Sequence, residues 1–250
     1  MGLYASDHPD VPGMQGLHLF HFMLSNCSQR ARLGLEEKGL AWTSHHLNLP
    51  GNEHVTSDYQ RINPNGVVPT LVHDGQVVVD SNDILAYLDE QFPDPPLRPE
   101  GAADRKEMER RLAEASAFQA AFKTLSHERV FRPFRKVSPD EVALYEEKHG
   151  NRELVDFLRD YAEDGAPWKA RVERADRELI STLDGLESAL GEASWLSGPA
   201  YGLADISWVV NANRFQLAQI DLAKWPRFQD WARRAMERPA FERAVANYRP

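Results

Sequence analysis

One cysteine, Cys27, is all the thiol that the 250 residues contain. That excludes an internal disulfide framework and a metal site built from several thiolates. Long apolar runs are missing too: nothing approaches the ~20 residues that a membrane-spanning helix needs. Basic residues are outnumbered, 29 Lys and Arg against 38 Asp and Glu, for a formal charge of −9. This balance argues against nucleic acid as a partner, because gripping a phosphate backbone takes clustered Lys and Arg. The first 16 residues have neither the basic nor the apolar region of a signal peptide. Residues 1–16 read as a flexible arm, and a cytoplasmic location is expected. What the chain does have is apolar bulk, 42% hydrophobic and 10% aromatic residues, enough for a core and too much for disorder.

The chain is organised around Ser25-Asn26-Cys27-Ser28. Leu17 to Leu24 reads as a short strand, with Phe20 and Phe22 a period of two apart. After it, Cys27, Ala31, Gly34 and Leu35 share one face of a helix that ends at Lys38-Gly39, with glycine just past the last turn. Polar residues and one thiol therefore sit where a strand hands over to a helix N-terminus. Free N–H groups and a partial positive charge there favour an anion, and a thiolate is one. Plain capping by Ser25 or Asn26 over a core Cys27 fits the same residues.

A second strand is expected within Ala41–Leu49, then a polar loop or weak helix over Pro50–Tyr59. Asn63-Pro64-Asn65-Gly66 turns into a strand interrupted by Pro69, and a cis Val68-Pro69 bond accounts for a proline that cannot join the ladder. Asp74-Gly75 closes a hairpin onto Val77-Val78-Val79. A helix marked by Ile84, Leu85 and Leu88 follows, with Ser81 as its natural N-cap and Phe92-Pro93 as its stop. Residues 17–92 thus read as a small α/β layer, and the proline-rich residues 93–100 as a linker. Residues 101–250 read as an all-α bundle. Met108, Leu112, Ala115, Phe118, Phe122 and Leu125 predict one long helix, and Trp168 to Leu190 predict another. Residues 135–166 predict a charged excursion of short helix and loop. A central apolar helix is expected near Ile206–Leu217, with Pro226 and Pro239 opening two last short helices.

At these spacings, NPNGVVPTL with Val68-Pro69, and Asp80-Ser81 opening a helix, resemble the cytosolic glutathione transferase superfamily over residues 17–248. The resemblance implies a thioredoxin-like α/β N-terminal domain, an all-α C-terminal helical domain and glutathione as co-substrate. Gly202-Leu203-Ala204-Asp205-Ile206 stands where the family has a Ser/Thr-x-x-Asp capping box. Glycine in place of the hydroxyl predicts a loss of only a few tenths of a kcal/mol. LSNCSQRARLGLEEKGL is most similar to the zeta class and the tetrachlorohydroquinone dehalogenases, with Ser25, Asn26, Cys27, Ser28 and Arg30 matching the zeta Ser-Ser-Cys-Ser-x-Arg element, Asn26 replacing its second serine. The excursion at 135–166 and WARRAMERPAFERA resemble the dehalogenase branch, and β-etherases are similar in the same regions.

The resemblance implies roles. Ser25 hydrogen-bonds the glutathione sulfur, with Asn26 an alternative donor. The Val68 backbone beside Pro69 pairs with the cysteinyl unit of glutathione. Asp80 and Ser81 hold its γ-glutamyl end, Arg30 belongs to the same binding set, and His54 falls where zeta enzymes place a glutathione-touching glutamine. In the dehalogenase branch the residue matching Cys27 attacks a glutathione conjugate to give a mixed disulfide; packing against the sheet with Ala31 is the other reading. His45 and His46 point to opposite faces, lack thiol or acidic company and suggest no metal. Phe118, Phe122, Leu125, Trp208 and Phe215 are candidates to line an electrophile site between the domains. The expectation is a homodimeric glutathione transferase acting on a small hydrophobic, aromatic electrophile. Reductive dehalogenase, β-etherase and cis-trans isomerase chemistry are alternatives, and a non-catalytic scaffold on the same fold is a rival of another class.

Overall fold

The computed structural model describes residues 2–249. Strand β1 is Leu3–Tyr4, β2 Leu17–His21, β3 Thr43–His46, β4 Thr70–His73 and β5 Gln76–Val79. They form one sheet in the order β1-β5-β4-β2-β3, with β2 and β3 parallel and the other pairs antiparallel. A parallel pair cannot be closed by a tight turn. Helix α1, Asn26–Glu37, supplies the crossover from β2 to β3. It stops where Gly39 takes φ +64°, the left-handed position past a helix end that glycine fills without strain. After β3, single-turn segments lead into the six-residue α2, Ser57–Ile62, across the stretch where a loop or weak helix is expected, and α3 is Ser81–Gln91.

Alternation along the strands sorts the core into two layers. Leu17, Leu19, Leu71 and Val78 pack with Ala31, Leu35, Ile84 and Leu88 of α1 and α3. On the opposite face Phe20, Val72 and Val77 pack with Tyr59 and Ile62 of α2. Val11 joins that second layer, so the opening segment is no loose arm. Leu3 and Tyr4 pair with Val78 and Val77, and the Ser6 hydroxyl donates to the Arg61 carbonyl at 2.8 Å. The physical reason is the exposed ladder edge of β5, which this segment covers.

The helical part comprises α4 (Ala102–Ala117), α5 (Gln119–Ser126), α6 (Pro139–Lys148), α7 (Arg152–Glu163), α8 (Ala166–Ala189), α9 (Leu203–Leu217), α10 (Pro226–Met236) and α11 (Pro239–Phe241). The single long helix expected through Leu125 is two, parted at Phe118. Its apolar spacing runs unbroken across the joint, which hid the break from the sequence. The excursion is two capped helices: Ser138 accepts from the Glu141 N–H and Asn151 from the Leu154 N–H. Their few apolar residues form a separate cluster, with Tyr145, Val155, Phe157 and Tyr161 gathered around Trp168 and Val55. Helix α9 is the centre of the main core, buried at every position from Leu203 to Ala212. Helix α1 is covered on both sides, since its Leu33 belongs to the bundle core while Ala31 and Leu35 belong to the sheet.

The start of α9 overturns one expectation. A Cβ on Gly202 would lie 2.2 Å from the Leu97 carbonyl oxygen, so no hydroxyl residue fits there. The capping hydroxyl arrives from elsewhere: Ser197 Oγ accepts from the Ala204 N–H at 3.0 Å, while the Leu97 carbonyl takes the Leu203 N–H. Asp205, fully buried, accepts from the N–H groups of Leu196, Ser197 and Gly202 and from Trp231 Nε1. Gly202→Ser is therefore expected to lose about 1–3 kcal/mol in urea unfolding, although serine is the better cap in isolation. Asp205→Ala strands four buried donors and is expected to lose about 3 kcal/mol or more. A Gly202→Ser protein as stable as the parent would refute the close-contact account.

Candidate active site at the start of the first helix

Ser25 is the N-cap of α1, and its Oγ accepts from the Ser28 N–H at 3.3 Å. A hydroxyl carries one proton and two lone pairs, so capping leaves the Ser25 proton free to donate. The loop before it is held from two directions. Ser28 Oγ accepts from the Phe22 N–H, and the Leu24 carbonyl accepts from the Arg214 guanidinium of α9 at 2.7 Å. Asn26 is buried and its two amide protons are committed, one to Gln119 Oε1 at 3.1 Å and one to Asn211 Oδ1 at 3.3 Å. Gln119 returns a bond to Asn26 Oδ1. Cys27 is half-buried, a free thiol that belongs to none of the apolar clusters. Arg30 and Lys123 both lie within electrostatic reach of it.

Arg30 is 2% exposed. It donates to the Ser207 carbonyl at 3.0 Å, to Ser81 Oγ at 3.4 Å and to Asn211 Oδ1 at 3.3 Å. None of these acceptors is a carboxylate. Burial lowers its pKa, and the nearby Cys27 and Asp80 oppose that shift. At α3 the cap lies one residue before the expected Ser81. Asp80 is the N-cap, at φ +71°, and accepts from the Asn82 N–H at 2.9 Å. A non-glycine residue in that region is strained, a state that persists where surrounding contacts demand it. The Asp80 carboxylate faces solvent, while Ser81 is buried against Arg30.

The Val68-Pro69 bond is cis. Tyr59 and Asn63 donate to the neighbouring Val67 carbonyl, and no hydrogen bond among the described residues uses the Val68 N–H or carbonyl. His54 is 5% exposed, with Nε2 2.6 Å from the Tyr145 hydroxyl of α6. The rings proposed to line an electrophile site are core: Phe118, Phe122, Leu125, Trp208 and Phe215 are buried against one another. Their helical spacing reports how α4 and α5 pack on α9. Two cations lie near the start of α1 instead. Lys123 is half-buried, its ammonium 4.2 Å above the Phe157 ring, with no hydrogen bond or ion pair among the described residues. Arg214 lies 4.9 Å over Phe131, and burial pulls its pKa down to about 10. His45 stacks on Phe20 and meets His18 Nδ1 at 2.9 Å, an arrangement of the sheet surface. No group of three or more His, Cys, Asp or Glu suited to a metal occurs among the described residues.

Residues 19–96 match the family model described as glutathione S-transferase, N-terminal domain, and residues 169–234 match that for the C-terminal domain. The chain belongs to the glutathione S-transferase family. It is 25% identical to glutathione S-transferase TCHQD of Arabidopsis thaliana, with 93% of this chain and 90% of that one covered. With maleylacetoacetate isomerase of Pseudomonas aeruginosa the identity is 28%, over 91% and 95% of the two chains. The crystal structure of β-etherase LigF from Sphingobium sp. strain SYK-6 superposes with a TM-score of 0.81 at 25% identity, covering 94% of this chain and all of that one.

In this transferase the structure joins Asn26 and Arg30 through Asn211 and Ser81 through Arg30, and brings Cys27 and Asp80 within reach of Arg30. Ser25 joins the group through its place at the head of α1, whereas His54 and Val68 lie across the loop side. The sequence reading missed Ser207, Asn211 and Arg214. Their signal was available, polar residues spaced by four and three along one face of a largely apolar helix. Lys123, Tyr145 and His149 carried no comparable signal: Lys123 is a single charge on the short, mostly apolar α5, and Tyr145 and His149 lie in and just after the charged α6.

Three histidines in desolvated surroundings make stability pH-dependent. Burial, with Arg32 beside it, pushes His21 down to about 3 from 6.5, burial with His149 pushes His54 down to about 4, and burial pushes His127 down to about 4. All three fold as neutral rings that take up protons on unfolding, so their contribution is full above the unfolded pKa and fades as pH falls through the folded values. Unfolding free energy is expected to drop from about pH 6.5 towards about pH 4, each histidine adding up to about 1.4 kcal/mol per pH unit. Urea titrations across that window check it; a flat profile contradicts neutral, buried imidazoles.

Proposed function

We propose that this transferase activates the sulfur of glutathione, its co-substrate, with the Ser25 hydroxyl, for attack on an aromatic electrophile in the cleft between sheet and helical bundle. The observation that carries this is the division of donors at the head of α1: the Ser25 proton is uncommitted, whereas both Asn26 protons are taken. Helix α1 adds its N-terminal partial charge, and a charge-assisted hydrogen bond contributes roughly 1.5–3 kcal/mol to the thiolate. Glutathione then runs along the sheet edge. Its ammonium meets Asp80, and its γ-glutamyl carboxylate meets Ser81 and the start of α3, with Arg30 behind. Its cysteinyl backbone pairs with Val68, and its glycyl end falls on the His54 loop. Attack forms the carbon–sulfur bond as the leaving group departs with its electron pair. Negative charge spreading over the ring is met by Lys123 and Arg214, cations without carboxylate partners in a poorly solvated cleft. The same reading takes residues 17–92 as the glutathione-binding unit, 93–100 as the linker and 101–250 as the electrophile-binding unit, working as a cytoplasmic homodimer.

Ser25→Ala is expected to raise the pKa of enzyme-bound glutathione by about 1–2 units and to lower kcat about 10- to 100-fold, with KM for glutathione nearly unchanged. Thiolate absorbance against pH and steady-state rates with 1-chloro-2,4-dinitrobenzene measure both. If Asn26→Ala shows this pattern and Ser25→Ala does not, the donor is Asn26.

One observation favours a second reading, exchange chemistry at Cys27: the thiol is half-buried outside the core and near Arg30 and Lys123. The Cys27 thiolate would attack the sulfur of a glutathionyl-hydroquinone, leaving a Cys27–glutathione disulfide and the ring carbon to take a proton. A second glutathione would release oxidised glutathione. Mass spectrometry after turnover with a halogenated hydroquinone decides it: the first reading expects an unmodified Cys27, the second a glutathione adduct that added glutathione removes.

A further inference from the structure

The helical excursion reaches the glutathione loop at three points. Tyr145 meets His54 Nε2 at 2.6 Å, the Lys148 carbonyl accepts from Gln60 Nε2 at 2.9 Å, and His149 Nε2 meets the Gly66 carbonyl at 3.3 Å. The tautomer of His149 is fixed, because its Nδ1 accepts from the Asn151 N–H and its Nε2 is left to donate. His54 is the opposite case. Burial and the nearby Glu141 carboxylate raise the pKa of Tyr145, so its hydroxyl keeps its proton. His54 Nε2 is the one hydrogen-bond partner that hydroxyl has among the described residues, so the proton goes there. A neutral imidazole that accepts at Nε2 carries its own proton on Nδ1. His54 Nδ1 is buried and without a partner. It is therefore a desolvated donor awaiting an acceptor.

On the reading above, glutathione has its γ-glutamyl end at Asp80 and Ser81 and its middle at Val68. Its glycyl carboxylate then lies on the far side of Val68 from α3. There the His54 carbonyl and His149 Nε2 close around Gly66, each 3.2 Å from where a Gly66 Cβ would stand. We propose that Tyr145 is a positioning residue for glutathione: by donating to His54 Nε2 it holds the ring in the tautomer whose Nδ1–H binds the glycyl carboxylate. The excursion thus takes part in co-substrate binding, through a residue that never touches the ligand. This inference rests on glutathione lying as proposed, and the ligands below separate its failure from that of the parent reading.

The test uses the full chain, glutathione, and glutathione with its glycyl carboxylate capped as an amide. Nitrogen-15 NMR of labelled histidine is expected to show His54 as the Nδ1–H tautomer, with that nitrogen shifting when glutathione is added. By calorimetry, Tyr145→Phe is expected to weaken glutathione about tenfold and the capped analogue by less than about twofold, raising KM for glutathione while kcat holds. On a His54→Gln background, whose amide donates with no tautomer to choose, Tyr145→Phe is expected to change nothing further. An Nε2–H tautomer, equal loss for both ligands, or an undiminished effect in the His54→Gln background overturns the proposal. Wild-type protein that binds neither ligand overturns the parent reading and this one together.

Discussion

A guanidinium buried with no carboxylate to neutralise it is the constraint on which the rest of this structure depends. Removing an ion from water costs several kcal/mol even after relaxation, and hydrogen bonds to the ion offset that cost. Each of the three Arg30 nitrogens has an acceptor, drawn from two parts of the chain, Ser81 on the sheet side and Ser207 and Asn211 on α9. Neither part supplies all three. The charge therefore acts as a pin that gives α1 a single seat between sheet and bundle. Asn26 and Gln119 exchange amide bonds one turn away, and Arg214 holds the Leu24 carbonyl, so the turn that presents Ser25 is fixed from the helical side. Arg32, on the same helix, solves the same problem differently. It donates to the carbonyls of Phe22, Met23 and Ala244 and lies 4.2 Å under the Tyr248 ring, tying the end of the chain to the strand that leads into the site.

This arrangement keeps the local potential positive without using it up. Paired with carboxylates, Arg30, Lys123 and Arg214 would present neutral couples to the cleft. Hydrogen-bonded to carbonyls and amides, or resting on aromatic faces, Arg30 and Arg214 remain net positive in a medium of low dielectric. Lys123 does the same on the face of Phe157. The strained Asp80 fits the pattern. Its turn sets a carboxylate outward at the one place in the site where a cation is expected, while the helix behind it offers N–H groups to an anion.

The order of strands and helices in the first domain was legible because each element obeys one period and ends in recognisable turn chemistry, as at Gly39, Asp74-Gly75 and Val68-Pro69. The first segment was not, since a two-residue strand has no period and Val11 is a single apolar residue. Phe118 interrupts a helix without disturbing its apolar stripe, so periodicity saw one helix where backbone geometry makes two. In the candidate site, the places of Ser25 and of the Asp80-Ser81 pair at helix starts were readable from the sequence. The partners that decide what those residues do were hidden by distance: Asn26 and Asn211 are 185 residues apart, Arg30 and Ser207 177. The placement of Ser81 failed by one residue, because an aspartate at positive φ took the cap that a serine at that spacing normally fills.

Gly202 is a position where an apparent loss is compensated a few residues away, and this bears on how the sequence can drift. The hydroxyl that caps α9 stands on Ser197, and the Leu97 carbonyl occupies the space a side chain at 202 would need. A lineage that restored serine at 202 would first have to draw the Leu97 backbone away. A lineage that lost Ser197 would have no local substitution with which to replace it. Ser197, Gly202 and the backbone at 97 are therefore coupled through one set of contacts. Exchanging single residues there between this chain and a relative with the other capping arrangement would damage both proteins, however conservative each exchange looks on paper.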